Sequence, residues 1–172
     1  MSNQSNINYH PAIANKRVEA SHTVEIASTP QKIFPLACPV EELRWIPGWE
    51  YELIYTKSGI NEKGCIFTEN KSGPHFFDKS LTTTWVTNLH DAEKTRIVFQ
   101  LNLADKAVIH LQVNIQEVGT NISSCNWHML YTALDREANE MDENAIKEKL
   151  DLVMIMLATA LKHYCETGEM IK

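Results

Sequence analysis

The last quarter of the chain constrains the fold most: a strongly apolar helical stretch closes a run of six strand-like segments joined by short turns. From Asn144 to Thr167 the residues Ile146, Leu150, Val153, Leu157, Leu161 and Tyr164 recur at spacings of three and four, which is one face of an α-helix. Asp142 and Glu143 stand at its start, Lys162 and His163 in its last turn, and Gly168 just beyond, as helix electrostatics and capping ask. Within it, Leu152 to Ala158 is apolar all round, which predicts a helix largely covered by the rest of the chain. Strands followed by one covered helix predict a curved antiparallel sheet wrapped around that helix. Such an arrangement leaves a cavity between sheet and helix, and function is expected there.

The chain of 172 residues is long enough for one substantial core. A net charge of −6 without any basic cluster argues against a nucleic-acid or anionic-membrane surface. Residues 1–15 are polar and rich in Asn and Ser; they lack the apolar core of a signal peptide and read as a disordered tail before a single domain at 16–172. The uninterrupted apolar run of the final helix falls well short of the ~18–20 residues of a membrane span. Cys38, Cys65, Cys125 and Cys165 are widely spaced and make no Cys-x-x-Cys pair. They read as reduced thiols of a cytoplasmic protein, with neither a disulfide framework nor a metal site.

Along the chain, Val18, Ala20, His22, Val24 and Ile26 alternate with polar residues and mark a half-buried first strand. Ser28-Thr29-Pro30 opens a short helix to about Ala37, and Pro39 with Glu41-Glu42 opens a second that ends near Trp45-Ile46-Pro47-Gly48. Strands are then expected at 50–57, 64–70, 79–89, 95–103, 107–118 and 122–133. A one-residue slip of register turns every side chain to the other face, so apolar residues should pair with apolar. With turns near His90–Lys94, Ala104–Lys106 and Gly119–Asn121, Trp85 lies opposite Phe99, Phe99 opposite Leu111 and Leu111 opposite Met129. The adjoining rows are Thr83, Leu101, Ile109, Tyr131 and Thr87, Ile97, Val113, Trp127. The opposite face carries Gln100, Asn102, His110, Gln112, Asn114, Gln116, Asn126 and His128, a solvated outer surface.

The resulting order, β-α-α-β6-α, resembles the helix-grip fold of the START/SRPBCC superfamily of lipid-transport, pollen-allergen-like and polyketide cyclase/dehydratase proteins. "VEIASTPQKIF" resembles that family's first strand and helix start, "CPVEELRWIPGWEYELIY" the Trp, Pro-Gly-Trp segment of one bacterial branch of unassigned function, and "LYTALDREANE" the step into the last helix. The resemblance covers roughly residues 16–168. It implies an α+β fold, a seven-stranded curved antiparallel sheet around a long C-terminal helix. It does not select an activity, because one fold hosts many functions.

His22 shares the concave face with Val24 and Ile26. It can act as a polar contact or general base in an apolar pocket, or serve as a structural histidine near a strand end. Trp85, Phe99, Trp127 and Tyr131 share that face and can wall a cavity or pack on the helix; Thr83 and Thr87 add hydroxyls that a dry core has little reason to keep. The resemblance implies that Trp45 and Trp49 border the pocket mouth, where they gate a ligand or anchor the short helices. His75 has a nearby carboxylate in Asp78, but proximity in a turn does not make an acid–base pair and the loop reads rather as a solvated hairpin. His110 and His128 face outward, away from His22, which argues against a histidine metal site. No phosphate-cradling glycine loop, Gly-x-Ser-x-Gly elbow, His-Glu-x-x-His or dinucleotide fingerprint is present, so no cofactor is expected.

The reading is a protein that binds a small hydrophobic molecule between sheet and helix, through His22, Trp45, Trp49, Thr83, Trp85, Phe99, Trp127 and Tyr131. Its alternatives are a polyketide cyclase/dehydratase-like enzyme using His22 or Tyr131, and a protein-interaction module like the chaperone-activator branch of the superfamily. The oligomeric state stays open.

Overall fold

A computed structural model describes residues 15–69, 77 and 81–172. All of the expected tail at residues 1–15 except Asn15, and the loop residues His75 and Asp78, lie outside the described residues. Seven strands form one antiparallel sheet: β1 (Arg17–Ile26), β2 (Tyr51–Tyr55), β3 (Ile66–Glu69), β4 (Thr83–Asp91), β5 (Arg96–Leu103), β6 (Ala107–Gly119) and β7 (Ile122–Ala133), in the order β1-β7-β6-β5-β4-β3-β2. Between β1 and β2 lie the short helices α1 (Pro30–Ile33) and α2 (Pro39–Glu42), joined by a 3-10 turn at Phe34–Leu36. After β7 come α3 (Arg136–Glu140), a turn of helix the pattern did not announce, and the long α4 (Glu143–Thr167). The architecture is the helix grip: a curved α+β sheet and a long C-terminal helix.

Local chemistry sets these boundaries. Proline opens both short helices, where its missing N–H costs nothing. Asp135 and Asp142 cap α3 and α4, accepting from Ala138 N at 2.8 Å and Ala145 N at 3.0 Å. Gly168 ends α4 at φ 76°, a left-handed conformation that glycine adopts without steric cost, and its N–H donates to Tyr164 O at 2.8 Å.

The expected rows hold across β5, β6 and β7: Phe99 faces Leu111 and Leu111 faces Met129, with Leu101–Ile109–Tyr131 and Ile97–Val113–Trp127 beside them. The β4–β5 pairing departs from the expectation by two residues. Trp85 lies opposite Leu101 rather than Phe99, and Thr87 takes the place opposite Phe99. The cause is the turn, which lies at residues 92–95 and pairs Asp91 with Arg96, three positions off the expected register; the extra residue Asn88 in β4 takes one of these back and leaves two. A slip of two keeps each side chain on its face, so Trp85 is still concave. Outward, His110 is exposed, His128 stands 3.6 Å from Glu19, and Asn126 donates to Thr23 Oγ1 at 2.9 Å across β7 and β1.

α4 packs mainly on β1 and β7, at one side of the concave face. Ile146, Leu150, Met154, Ala158 and Leu161 are buried there, whereas Val153 and Leu157 are half-buried. The expectation that Leu152–Ala158 would be covered all round is corrected: Leu152, Ile155 and Met156 are 48%, 45% and 49% exposed. One sheet can cover only one face of a helix, and no second layer lies over α4 among the described residues. No described helix is long and apolar enough to cross a membrane.

Candidate functional site

Because α4 lies toward the β1 side, the part of the concave face running from β3 to β7 looks into a cavity of about 420 Å³. Its floor is the sheet rows just described, with Phe99, Leu101, Ile109, Leu111 and Met129. Its other walls are the segment around α2 and the face of α4 carrying Val153, Leu157 and Ala160. Pro47, Ile155, Met156 and Thr159 line it and are also exposed, which marks them as its mouth.

Trp45 and Trp49 anchor the short helices and also line the cavity. Their indole N–H groups donate to Leu36 O at 3.0 Å and Pro39 O at 2.9 Å, which ties the helix pair together, while their rings line the cavity. Trp49 meets Trp85 edge-on at 6.3 Å, and Trp85 stacks on Phe67 at 5.4 Å and meets Phe99 at 5.5 Å. Thr83 and Trp127 also line the cavity. Thr87 is concave but spoken for: its hydroxyl donates to Asn61 Oδ1 at 2.6 Å, and Asn61 Nδ2 donates to Ala37 O at 3.1 Å. That buried network fastens the β2–β3 loop to the α1–α2 segment.

Two expected site residues lie away from the cavity. His22 is half-buried opposite Trp127 on β1, on the side of the sheet where α4 packs, and is not part of the lining. Tyr131 is fully buried; its hydroxyl donates to Met141 Sδ at 3.9 Å, in the segment joining α3 to α4. Burial, with the charge of Asp135, pushes its pKa up to about 12. The approach of α4 to β1 and β7 closes the cavity off on that side.

The residues that sequence reasoning missed are Glu42 and Glu69, whose carboxyl groups line an otherwise apolar wall beside Trp45, Trp49 and Trp85. Trp85 donates its indole N–H to Glu69 Oε2 at 2.9 Å. Glu42 is half-buried and lines the cavity, and burial, reinforced by the negative charge of Glu69, pushes its pKa up to about 8. It therefore holds its proton at neutral pH. A signal for Glu69 was present: Cys65, Phe67 and Glu69 alternate along β3, and the first two are buried. Glu42 gave none, because a four-residue helix has no periodicity to set its face.

Deeper in the wall, Trp127 Nε1 is buried without a hydrogen-bond partner among the described residues. It stands beside the Cys125 thiol, whose pKa burial raises to about 12 and the indole N–H slightly lowers; this is a weak N–H···S contact rather than a well-formed hydrogen bond. Among the described residues the lining contains no lysine, arginine or histidine, and no group of acidic, His or Cys side chains is arranged to hold a metal.

No protein-family model and no curated protein sequence matches the chain. Solved structures resemble it over most of its length. A START superfamily protein from Mycobacterium smegmatis is 13% identical, with a TM-score of 0.68 over 87% of this chain and 98% of that one. Norcoclaurine synthase from Thalictrum flavum, solved in complex with dopamine and hydroxybenzaldehyde, is 15% identical at a TM-score of 0.64, covering 96% and 98%. The Zhui aromatase/cyclase from a Streptomyces species is 12% identical at 0.64, covering 88% and 94%. At such identities the likeness shows the fold, and the expected START/SRPBCC resemblance holds at that level.

Proposed function

We propose that this protein binds a small hydrophobic molecule in the cavity between sheet and α4. The observation that carries this reading is the cavity itself: about 420 Å³, walled by aromatic and aliphatic side chains, open at one mouth and furnished with few polar groups. Ligand sites are of this size and composition, with a small number of polar groups that fix orientation. Trp49, Trp85 and Phe99 hold one another edge-to-face, so the wall is rigid before a ligand arrives. The scarcity and spacing of cysteines favour action in the reducing cytoplasm.

A second reading, an enzyme of the cyclase/dehydratase kind, is favoured by Glu42. A carboxylic acid with a pKa near 8 inside an apolar cavity is suited to give and take a proton at neutral pH. In this reading Glu42 takes the role first assigned to His22 or Tyr131. Native mass spectrometry of freshly purified protein tests the binding reading, with a retained organic ligand of defined mass expected. Apo protein throughout, with no uptake of any apolar compound from a metabolite extract, would contradict it.

A further inference from the structure

We propose, resting on the binding reading above, that the cavity selects a hydrophobic amine, an apolar body carrying one protonated nitrogen that Glu42 and Glu69 hold. Both carboxyl groups line the same wall, and no cationic side chain among the described residues lines it with them. Glu42 has no hydrogen-bond or ion-pair partner among the described residues, is half-buried and lines the cavity. A half-buried carboxyl without a partner is costly to ionise in an apolar wall, and a cation in the cavity is the partner that relieves it. Trp85 fixes Glu69 through its 2.9 Å hydrogen bond, and Trp49 and Trp85 line the same cavity with aromatic rings, a surface that cations favour.

The protons balance. The free amine carries its proton in neutral solution and Glu42 carries one in the empty cavity. Forming the ammonium–carboxylate pair therefore releases one proton, from Glu42, to solvent. Among the described residues, the other titratable groups around Glu42 are Glu69 on β3 and Tyr51 on β2, with Cys38 and Cys65 beside Tyr51. Burial raises the Tyr51 pKa above its ordinary value, so that hydroxyl stays neutral through the range tested. Glu41 is engaged by Arg44 at 2.7 Å.

The test is titration calorimetry of the full chain with phenylbutylamine, phenylbutanol and phenylbutyrate, which share one body and differ in the polar end. Each is measured at pH 6, 7 and 8 in two buffers of different ionisation heat. The amine should bind at least about tenfold more tightly than the alcohol at pH 8, and the carboxylate most weakly. Amine affinity should rise with pH by up to about tenfold per unit below the Glu42 pKa, with close to one proton released per amine at pH 7. Glu42→Gln should abolish that proton release, and Glu69→Gln should reduce the amine's advantage over the alcohol. Equal binding of alcohol and amine with no proton release would overturn the amine proposal and leave the cavity reading standing. Binding of none of the three compounds would overturn both.

Discussion

Replacing Glu42 by glutamine should remove a pH dependence of stability whose size follows from where the carboxyl sits. Glu42 has an ordinary value of 4.5 and is pushed to about 8 in the folded chain by burial and the charge of Glu69. The folded state therefore binds a proton that the unfolded state gives up between those two values. Stability contributed by the protonated acid is fully present below pH 4.5, falls as pH rises through the window, and is gone above the folded pKa. At ~1.4 kcal/mol per unit, the wild type should lose about 3 kcal/mol relative to Glu42→Gln between pH 5 and pH 8. The glutamine amide has the size of the protonated acid but no titration, so the two proteins should be nearly equal in stability near pH 5. At pH 8 the variant should be the more stable. Urea unfolding of both proteins across this range reads the difference directly, and subtraction removes contributions of other groups, such as the half-buried His90 whose pKa burial lowers. Parallel curves for the two proteins, with a constant offset, would refute the placement of Glu42 in an apolar wall.

Two further predictions concern what holds the grip closed. Leu150→Ala, at a fully buried site on α4, should cost about 2–5 kcal/mol in urea unfolding, whereas Leu152→Ala, at a site 48% exposed, should stay within about 0.5 kcal/mol; equal losses would mean that α4 buries a different face. Thr87→Val should cost about 1–3 kcal/mol because it leaves the buried Asn61 amide oxygen without its donor, and Thr83→Val, in the cavity wall, should cost less; the reverse order would show that the Asn61 network does not fasten the β2–β3 loop.

The sheet was legible from sequence because two independent constraints coincide in β5, β6 and β7. Alternation assigns each residue a face, and pairing of apolar with apolar then leaves one register for Phe99, Leu111 and Met129. The β4–β5 register was not, since neither the later turn at residues 92–95 nor the extra residue Asn88 leaves a mark in the apolar pattern. The exposure of Leu152, Ile155 and Met156 was hidden for another reason. An all-round apolar helix announces that something should cover it, but only the three-dimensional arrangement shows that the sheet reaches one face. For the site, Trp45, Trp49, Thr83, Trp85, Phe99 and Trp127 were found by parity or by resemblance and do line the cavity. His22 and Tyr131 share the concave face but lie under α4 and beside Met141 respectively, because parity gives the face and not the position along it. Glu42 sits on a helix of four residues, where the fold alone decides what a side chain meets.

The central claim is that the space between sheet and α4 receives a ligand, and an equilibrium titration with a neutral apolar naphthalene probe tests it most directly. Trp49, Trp85 and Trp127 line the space, so a bound probe should quench tryptophan emission and saturate at one site per chain. Ala160 is a buried residue of α4 whose side chain lines the cavity, so Ala160→Phe should fill part of it and weaken the probe by about tenfold or more while the chain stays folded by circular dichroism. Saturable quenching in the wild type, lost in Ala160→Phe and kept in Leu152→Ala, is the result this account predicts. Probe binding that Ala160→Phe leaves unchanged and Leu152→Ala abolishes would place the ligand on the outside of α4 and contradict it.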